Sequence, residues 1–132
     1  MQISAFIVED EPDVRAILVE AMEEITPMRF VGHAETERDA RQWLCEHGDD
    51  WDLVIVDLSL SEGSGLGVLV NCGNRKPNQK VVVLTSFSLS NIANRCLQLG
   101  ADQVFDKGED VEKFVLYCRE HARRLSGLEP LH

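Results

Sequence analysis

The sequence contains few cysteines, and no two of them form the close pair expected of a zinc or redox site. Four cysteines are spread along the 132 residues: Cys45, Cys72, Cys96 and Cys118. None belongs to a Cys-x-x-Cys motif. We therefore interpret all four as reduced cysteines that pack as small apolar side chains.

Long hydrophobic runs are also absent. No apolar stretch approaches the roughly 20 residues that a helix needs to span a bilayer. The first residues, Met1-Gln2-Ile3-Ser4, lack the basic start of a secretory signal. The sequence therefore predicts a cytoplasmic protein without a membrane partner.

Basic residues are scarce relative to acidic ones. Thirteen Lys and Arg face 23 Asp and Glu, which gives a net charge of −10. Nucleic acids and anionic membranes bind through clustered Lys and Arg, so direct nucleic-acid binding is not expected. The local basic group of Arg119, Arg123 and Arg124 falls in the predicted last helix, whose dipole favours cations at its end.

Length and composition indicate one globular domain. The chain is 44% hydrophobic and 27% charged, which is ordinary for a globular protein. It is long enough for one sizeable core and too short for two. We expect the domain to occupy residues 1–126 and a short tail to follow at residues 127–132.

Short runs rich in branched residues alternate with amphipathic stretches along the chain. Five runs are predicted strands: residues 3–8, 29–34, 52–57, 80–85 and about 103–106. Apolar residues after each run recur at the three- and four-residue spacing of a helix. Thr36 is expected to cap the second helix, and Gly48 and Gly100 to end the second and fourth. This alternation predicts a doubly wound α/β domain with a five-stranded parallel sheet and five helices.

Charged residues lie at the ends of three of the predicted strands. Glu9 and Asp10 follow the first, Asp57 ends the third, and Lys107 follows the fifth. The carboxyl ends of parallel strands meet at one edge of the sheet, where such folds bind ligands. Clustered carboxylates repel each other by about 4 kcal/mol per pair at an effective dielectric near 20, so they need a cation to remain ionised. The pattern therefore predicts a divalent-metal site.

Four motifs resemble the CheY-like receiver domains of two-component response regulators. They are Val8-Glu9-Asp10-Glu11-Pro12, Asp57-Leu58-Ser59-Leu60 with Gly63-Ser64-Gly65-Leu66, Leu84-Thr85-Ser86, and Gly100-Ala101-Asp102 leading to Lys107. The resemblance extends over nearly the whole chain, with each motif at a predicted strand end. It implies the flavodoxin-like strand order 2-1-3-4-5 and a signalling role rather than an enzyme.

The resemblance also implies a chemical role for each residue. Asp57 would be the phosphoacceptor for a phosphohistidine of a sensor histidine kinase or a histidine phosphotransfer domain. Mg²⁺, or Mn²⁺, would be ligated by Asp10 and Asp57, by Glu9 through a water, and by the backbone carbonyl of Ser59. Lys107 would pair with a phosphoryl oxygen, and the Thr85 hydroxyl would bind another after phosphorylation.

Partner surfaces are likewise implied by the resemblance. Contacts before phosphotransfer are expected around Val14 to Leu18 in the first helix and near Gly108. The surface that responds should include the fourth helix, the fifth strand and the last helix. The downstream protein is not identified by the sequence, and either a monomer or a phosphorylation-dependent dimer is compatible with it.

Three positions depart from the family pattern. Val104 stands where the family has an aromatic residue, and Phe105, one step along, should point to the other face and pack in the core. Coupling from Thr85 is therefore expected to run through the loop Ser86-Phe87-Ser88 and the helix after it. Gly108 replaces a common proline, so the peptide bond after Lys107 should be trans. Phe87 is expected to shield the acyl phosphate from water.

Other functions remain compatible with parts of the sequence. Val104 leaves open a degenerate receiver that docks without phosphorylation, and the sequence is also compatible with the receiver part of a longer DNA-binding regulator. An aspartyl phosphohydrolase would need a second acid, which Asp57-Leu58-Ser59 lacks. Flavin binding is disfavoured because Glu9 and Asp10 place anions where a phosphate-binding loop needs backbone donors.

Overall fold

The protein folds around a single parallel sheet, seen in a computed structural model that describes residues 2–86 and 89–127, with only the backbone of residues 89–91. The strands lie in the order β2-β1-β3-β4-β5, and each neighbouring pair is parallel. Their bounds are β1 Ile3–Val8, β2 Met28–Ala34, β3 Leu53–Val56, β4 Lys80–Thr85 and β5 Gln103–Asp106. The predicted fold class and strand order are confirmed.

A helix follows each strand. Their bounds are α1 Pro12–Ile25, α2 Glu37–Glu46, α3 Gly65–Asn71, α4 Leu89–Gln98 and α5 Val111–Leu125. Pro12 occupies the first turn of α1, where its missing N–H leaves no hydrogen bond unmade. Thr36 caps α2 by accepting a hydrogen bond from the backbone N–H of Asp39.

The helices cover both faces of the sheet, which produces two hydrophobic clusters. Along β1, Phe6 and Val8 point to one face, whereas Ala5 and Ile7 point to the other. Side chains of α2, α3 and α4 pack on the first face, and those of α1 and α5 pack on the second. Since β1 and β3 are buried on both faces, they consist almost entirely of apolar residues.

The glycines predicted to end α2 and α4 both lie two residues after the last helical residue. The second helix ends at Glu46 with His47 as its C-cap, and Gly48 is the next residue, where a glycine after a helix end is expected. The fourth ends as expected, because Gly100 has a φ of +109° and the backbone N–H of Ala101 bonds the carbonyl of Cys96. Of these two glycines, only Gly100 adopts a positive φ.

The cysteines differ in exposure. Cys72, Cys96 and Cys118 are buried, and burial raises the pKa of the Cys72 thiol to about 11 and that of Cys118 to about 12. Cys45 lies on the exposed side of α2, so the interpretation that all four pack inside is wrong for this residue. All four are free thiols.

Candidate functional site

The carboxyl ends of β1, β3, β4 and β5 lie at one edge of the sheet and carry the predicted residues. The backbone N–H of Asp57 donates to the carbonyl of Val8 at 3.0 Å, which aligns the end of β3 with the end of β1. The backbone N–H of Lys107 donates to the carbonyl of Thr85 at 3.0 Å and joins β5 to β4 in the same way. Residues nearly a hundred positions apart therefore meet at one site.

Lys107 connects the two buried carboxylates at this edge. Its Nζ donates to Glu9 Oε1 at 2.6 Å and to Asp57 Oδ2 at 2.8 Å. The carboxylate side chains are only 3% and 9% exposed, so this ammonium offsets charge that water cannot solvate. Burial alone would lower the pKa of Lys107, but its hydrogen bonds to Asp57 and Glu9 raise it above the ordinary value.

Three carboxylates converge beside that lysine. Glu9, Asp10 and Asp57 each have an oxygen within 4.8 Å of the others. Burial raises the pKa of Glu9, and the charge of Asp57 raises it further, against the lowering effect of the Lys107 hydrogen bond. When all groups are ionised, three carboxylates and one ammonium leave two negative charges uncompensated. The donor set is entirely oxygen, so the residues fit a hard divalent cation such as Mg²⁺.

The loop after β3 holds the Asp57 side chain from a second direction. The backbone N–H of Ser59 donates to Asp57 Oδ1 at 3.2 Å. Gly65 packs directly on the backbone of Asp57, where a Cβ atom would collide with its carbonyl oxygen. The carboxylate is therefore fixed by Lys107 on one oxygen and by a backbone amide on the other.

Thr85 ends β4 and is 1% exposed. It pairs in the sheet with Asp106 on β5, next to the residue that supplies the ammonium group. Ser86 follows as an exposed residue. The predicted role of Phe87, and the predicted coupling through Phe87 and Ser88, concern residues outside those that the structure describes.

Three residues that the sequence analysis did not select support the site. Asp106 Oδ1 accepts hydrogen bonds from the backbone N–H groups of Gly108 at 2.7 Å and Glu109 at 2.9 Å, which forms the turn after Lys107. Arg15 donates to the backbone carbonyl of Glu9 at 3.1 Å. Glu37 contacts the loop after Asp57. The Asp-x-Gly spacing of Asp106 was a usable turn signal; the other two had none.

The sequence matches one family of domains. A family model described as the response regulator receiver domain matches residues 5–119. The chain belongs to this family. It is therefore a receiver domain of a two-component response regulator, and receiver domains are signalling domains.

Known proteins agree with this assignment. The response regulator protein PilR of Pseudomonas aeruginosa is 32% identical over 110 residues, which cover 81% of this chain and 23% of PilR. A putative transcriptional regulator of the same organism is 32% identical over 86% of this chain and 53% of its own. The signal receiver domain of a putative Luxo repressor protein from Vibrio parahaemolyticus has a TM-score of 0.76 at 26% identity over both whole chains.

The chain spans only a quarter to about half of the length of these two curated relatives. No helix in the described part of the receiver domain is both long enough and apolar enough to cross a membrane.

The two departures on and after β5 have clear structural consequences. Phe105 is 6% exposed and belongs to the cluster formed with α1 and α5, as predicted. Val104 packs against the opposite cluster, so the two side chains lie on different faces of the sheet. The bond between Lys107 and Gly108 is trans, since no peptide bond among the described residues is cis.

Proposed function

We propose that this receiver domain is a phosphorylation-dependent switch whose phosphoacceptor is Asp57. The supporting observation is the meeting of Glu9, Asp10 and Asp57 within 4.8 Å, with Lys107 bonded to two of them. Such a site combines a buried nucleophile with the positive charge that a phosphoryl group requires. The donor would be a phosphohistidine of a sensor histidine kinase or of a histidine phosphotransfer domain.

In the transfer, a carboxylate oxygen of Asp57 attacks phosphorus and the bond between phosphorus and the imidazole nitrogen breaks. The product is an aspartyl phosphate, and the released imidazole takes a proton from solvent. Lys107 would shift its hydrogen bonds from the carboxylates to a phosphoryl oxygen. The backbone N–H of Ser59, which bonds Asp57 at 3.2 Å, would hold the attacking carboxylate in orientation.

Magnesium or manganese would be held by the carboxylates of Asp10 and Asp57, by Glu9 through a water, and by the backbone carbonyl of Ser59. When bound, the divalent ion supplies positive charge that offsets the repulsion between the carboxylate and the phosphoryl oxygens. Glu9 and Asp57 are the buried members of this set, so a bound cation would stabilise their charges the most.

The signal would be transmitted through β4. Phosphorylation adds about 1.5 to 2 negative charges and three acceptor oxygens at the sheet edge. The Thr85 hydroxyl would move towards one of these oxygens, and the α4–β5–α5 surface would change its affinity for a partner protein.

We further propose that the domain comprises residues 1–126, which includes the end of α5 at Leu125, with residues 127–132 as a tail.

Intact-mass measurement after incubation with acetyl phosphate tests this proposal. The protein should gain one phosphoryl group with Mg²⁺ present, and none in EDTA or in Asp57→Asn. Asp50→Asn, which changes an exposed aspartate, is the matched control and should behave as wild type. A protein that binds beryllofluoride at Asp57 but gains no mass would point to slow transfer. Failure of both reactions would favour the degenerate receiver that docks without phosphorylation.

A second candidate function is suggested by the length of the two curated relatives. The two curated relatives are roughly two to four times as long as the matched region, and one is a putative transcriptional regulator. The receiver domain would then control an effector region in the same polypeptide. An immunoblot of native extract tests this alternative, because a band near 14.8 kDa supports a single-domain protein and a much heavier band supports a multidomain regulator.

A further inference from the structure

Glu37 is the first residue of α2, but its side chain turns towards the loop after β3. Its Oε1 accepts a hydrogen bond from the backbone N–H of Ser64 at 2.9 Å. Its own backbone N–H donates to the carbonyl of Glu62 at 3.1 Å. The side chain is 25% exposed, and Arg41 one turn later lies 3.6 Å from its other oxygen. One residue of α2 thus bonds the loop from both its main chain and its side chain.

Two glycines leave the space that this carboxylate occupies. A Cβ atom at Gly63 would lie 2.5 Å from the Cβ of Glu37, and one at Gly67 would overlap its carboxylate oxygens. Gly63 also has a φ of +78°, a conformation that other residues rarely adopt. Any larger residue at either position would displace Glu37 from the loop.

The same loop carries the backbone N–H that bonds the Asp57 side chain. Ser59 and Ser64 form an isolated antiparallel bridge, so the two ends of the loop are tied together. The backbone N–H of Gly65 donates to the carbonyl of Leu58 at 3.1 Å and closes the loop at its base. A hydrogen bond to Ser64 therefore restrains Ser59, whose N–H bonds Asp57 Oδ1.

We propose that Glu37 is a positioning residue for the phosphorylation site. It holds Ser64, and through the Ser59–Ser64 bridge it keeps the Ser59 N–H on Asp57 and the Ser59 carbonyl directed for ligation of the divalent ion. This inference rests on the proposed function, since it assigns the loop a role in metal binding. Groups that orient ligands in this way commonly change metal affinity by 10- to 100-fold when they are removed.

The experiment uses two pairs of variants on the same helix. Glu37→Ala removes the acceptor, and Glu37→Gln retains an oxygen that can accept from Ser64. Asp39→Ala and Asp39→Asn are the matched controls, because Asp39 is also a carboxylate in the first turn of α2 but is exposed. They reproduce any change in the helix-dipole interaction without touching the loop.

Two measurements test the proposal: the chemical shift of the Ser64 amide proton and the dissociation constant for Mg²⁺. In metal-free protein, the amide proton of Ser64 should move upfield in Glu37→Ala and stay near its wild-type position in Glu37→Gln. By calorimetry with Mg²⁺ alone, the dissociation constant should rise about tenfold in Glu37→Ala and recover to within about threefold of wild type in Glu37→Gln. Both Asp39 variants should leave both quantities unchanged.

A converse variant tests whether Glu37 acts through this contact. Gly67→Ala should displace the carboxylate and reproduce the Glu37→Ala values in a protein that still folds, because alanine favours a helix more than glycine does. The double variant should be no weaker for Mg²⁺ than either single one. If the losses of Mg²⁺ affinity in the two single variants multiply in the double variant, the proposal is wrong. It is also wrong if folded Glu37→Ala has an unchanged Mg²⁺ affinity.

The outcomes separate this inference from the proposed function. If wild type binds Mg²⁺ but neither gains a phosphoryl group nor binds beryllofluoride, the switch is wrong, whereas the effect of Glu37 on metal affinity still stands or falls by calorimetry. If wild type is phosphorylated and folded Glu37→Ala shows the same Mg²⁺ affinity and the same Ser64 amide position, the switch stands and the positioning role is wrong.

Discussion

The ammonium group of Lys107 lies 2.8 Å from Oδ2 of Asp57 although fifty residues separate them in the sequence. The same nitrogen is 2.6 Å from Oε1 of Glu9. Since both carboxylates are buried, the lysine has a structural role in addition to any role in phosphotransfer.

Lys107→Met should therefore destabilise the metal-free protein. The change leaves two buried carboxylates without their shared cation, and we expect a loss of about 2 kcal/mol in the free energy of unfolding. Adding Mg²⁺ should raise the melting temperature of this variant more than that of wild type, because the ion replaces the missing positive charge. Urea denaturation in EDTA and thermal melts with and without Mg²⁺ measure both effects.

Lys113→Met is the control for this prediction. Lys113 is 78% exposed and its nearest carboxylate is at 4.0 Å, so its removal should change stability by less than about 0.5 kcal/mol. Equal urea midpoints for Lys107→Met and wild type in EDTA would show that the carboxylates do not depend on the lysine.

Asp106 should be required for the turn that carries Lys107. Asp106→Ala removes the acceptor of two backbone hydrogen bonds, from Gly108 and Glu109, and should cost about 1 kcal/mol of stability. Because the turn is then less restrained, the rate of phosphorylation by acetyl phosphate should also fall. Denaturation and intact-mass time courses on the same preparation measure the two effects.

Asp106→Asn retains a side-chain oxygen that can accept these hydrogen bonds. It should keep at least half of the stability and of the phosphorylation rate that Asp106→Ala loses. The exposed neighbour provides a second comparison, since Glu109→Ala removes a side chain but not the acceptor. If all three variants match wild type, the turn holds its conformation without the Asp106 side chain.

The alternation of strands and helices predicted the fold class and placed Glu9, Asp57 and Lys107 at strand ends on one edge of the sheet, and the resemblance to receiver domains implied the strand order. The sequence was not enough to predict Glu37 or Arg15. Their contacts depend on the angle of a helix against a loop, which hydrophobic spacing does not encode. Asp106 is an intermediate case, because its turn spacing was visible in the sequence.

The buried histidine of α5 should make stability depend on pH. His121 is 2% exposed, and its Nε2 is 2.9 Å from the carbonyl of Asp52. Burial lowers the pKa of His121 below its ordinary value of 6.5, so the unfolded chain takes up a proton before the folded one does. This group therefore stabilises the fold above pH 6.5, and its contribution is lost as the pH falls from 6.5 towards the folded pKa.

Comparison with His121→Gln isolates this contribution. The difference in unfolding free energy between wild type and variant should be constant above pH 7.5 and should shrink below pH 6.5, by at most about 1.4 kcal/mol per pH unit. His33→Gln, at an exposed position of β2, should show no such trend. Parallel curves for wild type and His121→Gln would show that the histidine is not responsible.

Phe105 should keep its position when the protein is activated. Its ring contacts Phe114 and Tyr117, with ring centroids 5.6 and 5.9 Å apart, and it is already inside the core. Closely packed interiors leave a buried ring no second site of equal packing, so rotation would leave a cavity. Crystal structures of the free and beryllofluoride-bound protein should therefore show the same Phe105 rotamer.

The same packing predicts that a substitution of Phe105 lowers stability but leaves the phosphorylation rate nearly unchanged. Phe105→Leu should lower the free energy of unfolding by about 1 to 2 kcal/mol, because it removes ring contacts in the core. The rate of phosphorylation by acetyl phosphate should stay within about twofold of wild type, since the ring contacts are made with Phe114 and Tyr117 on α5. An inward swing of Phe105 in the activated structure would instead make it part of the switch and would require that Thr85 and the ring move together.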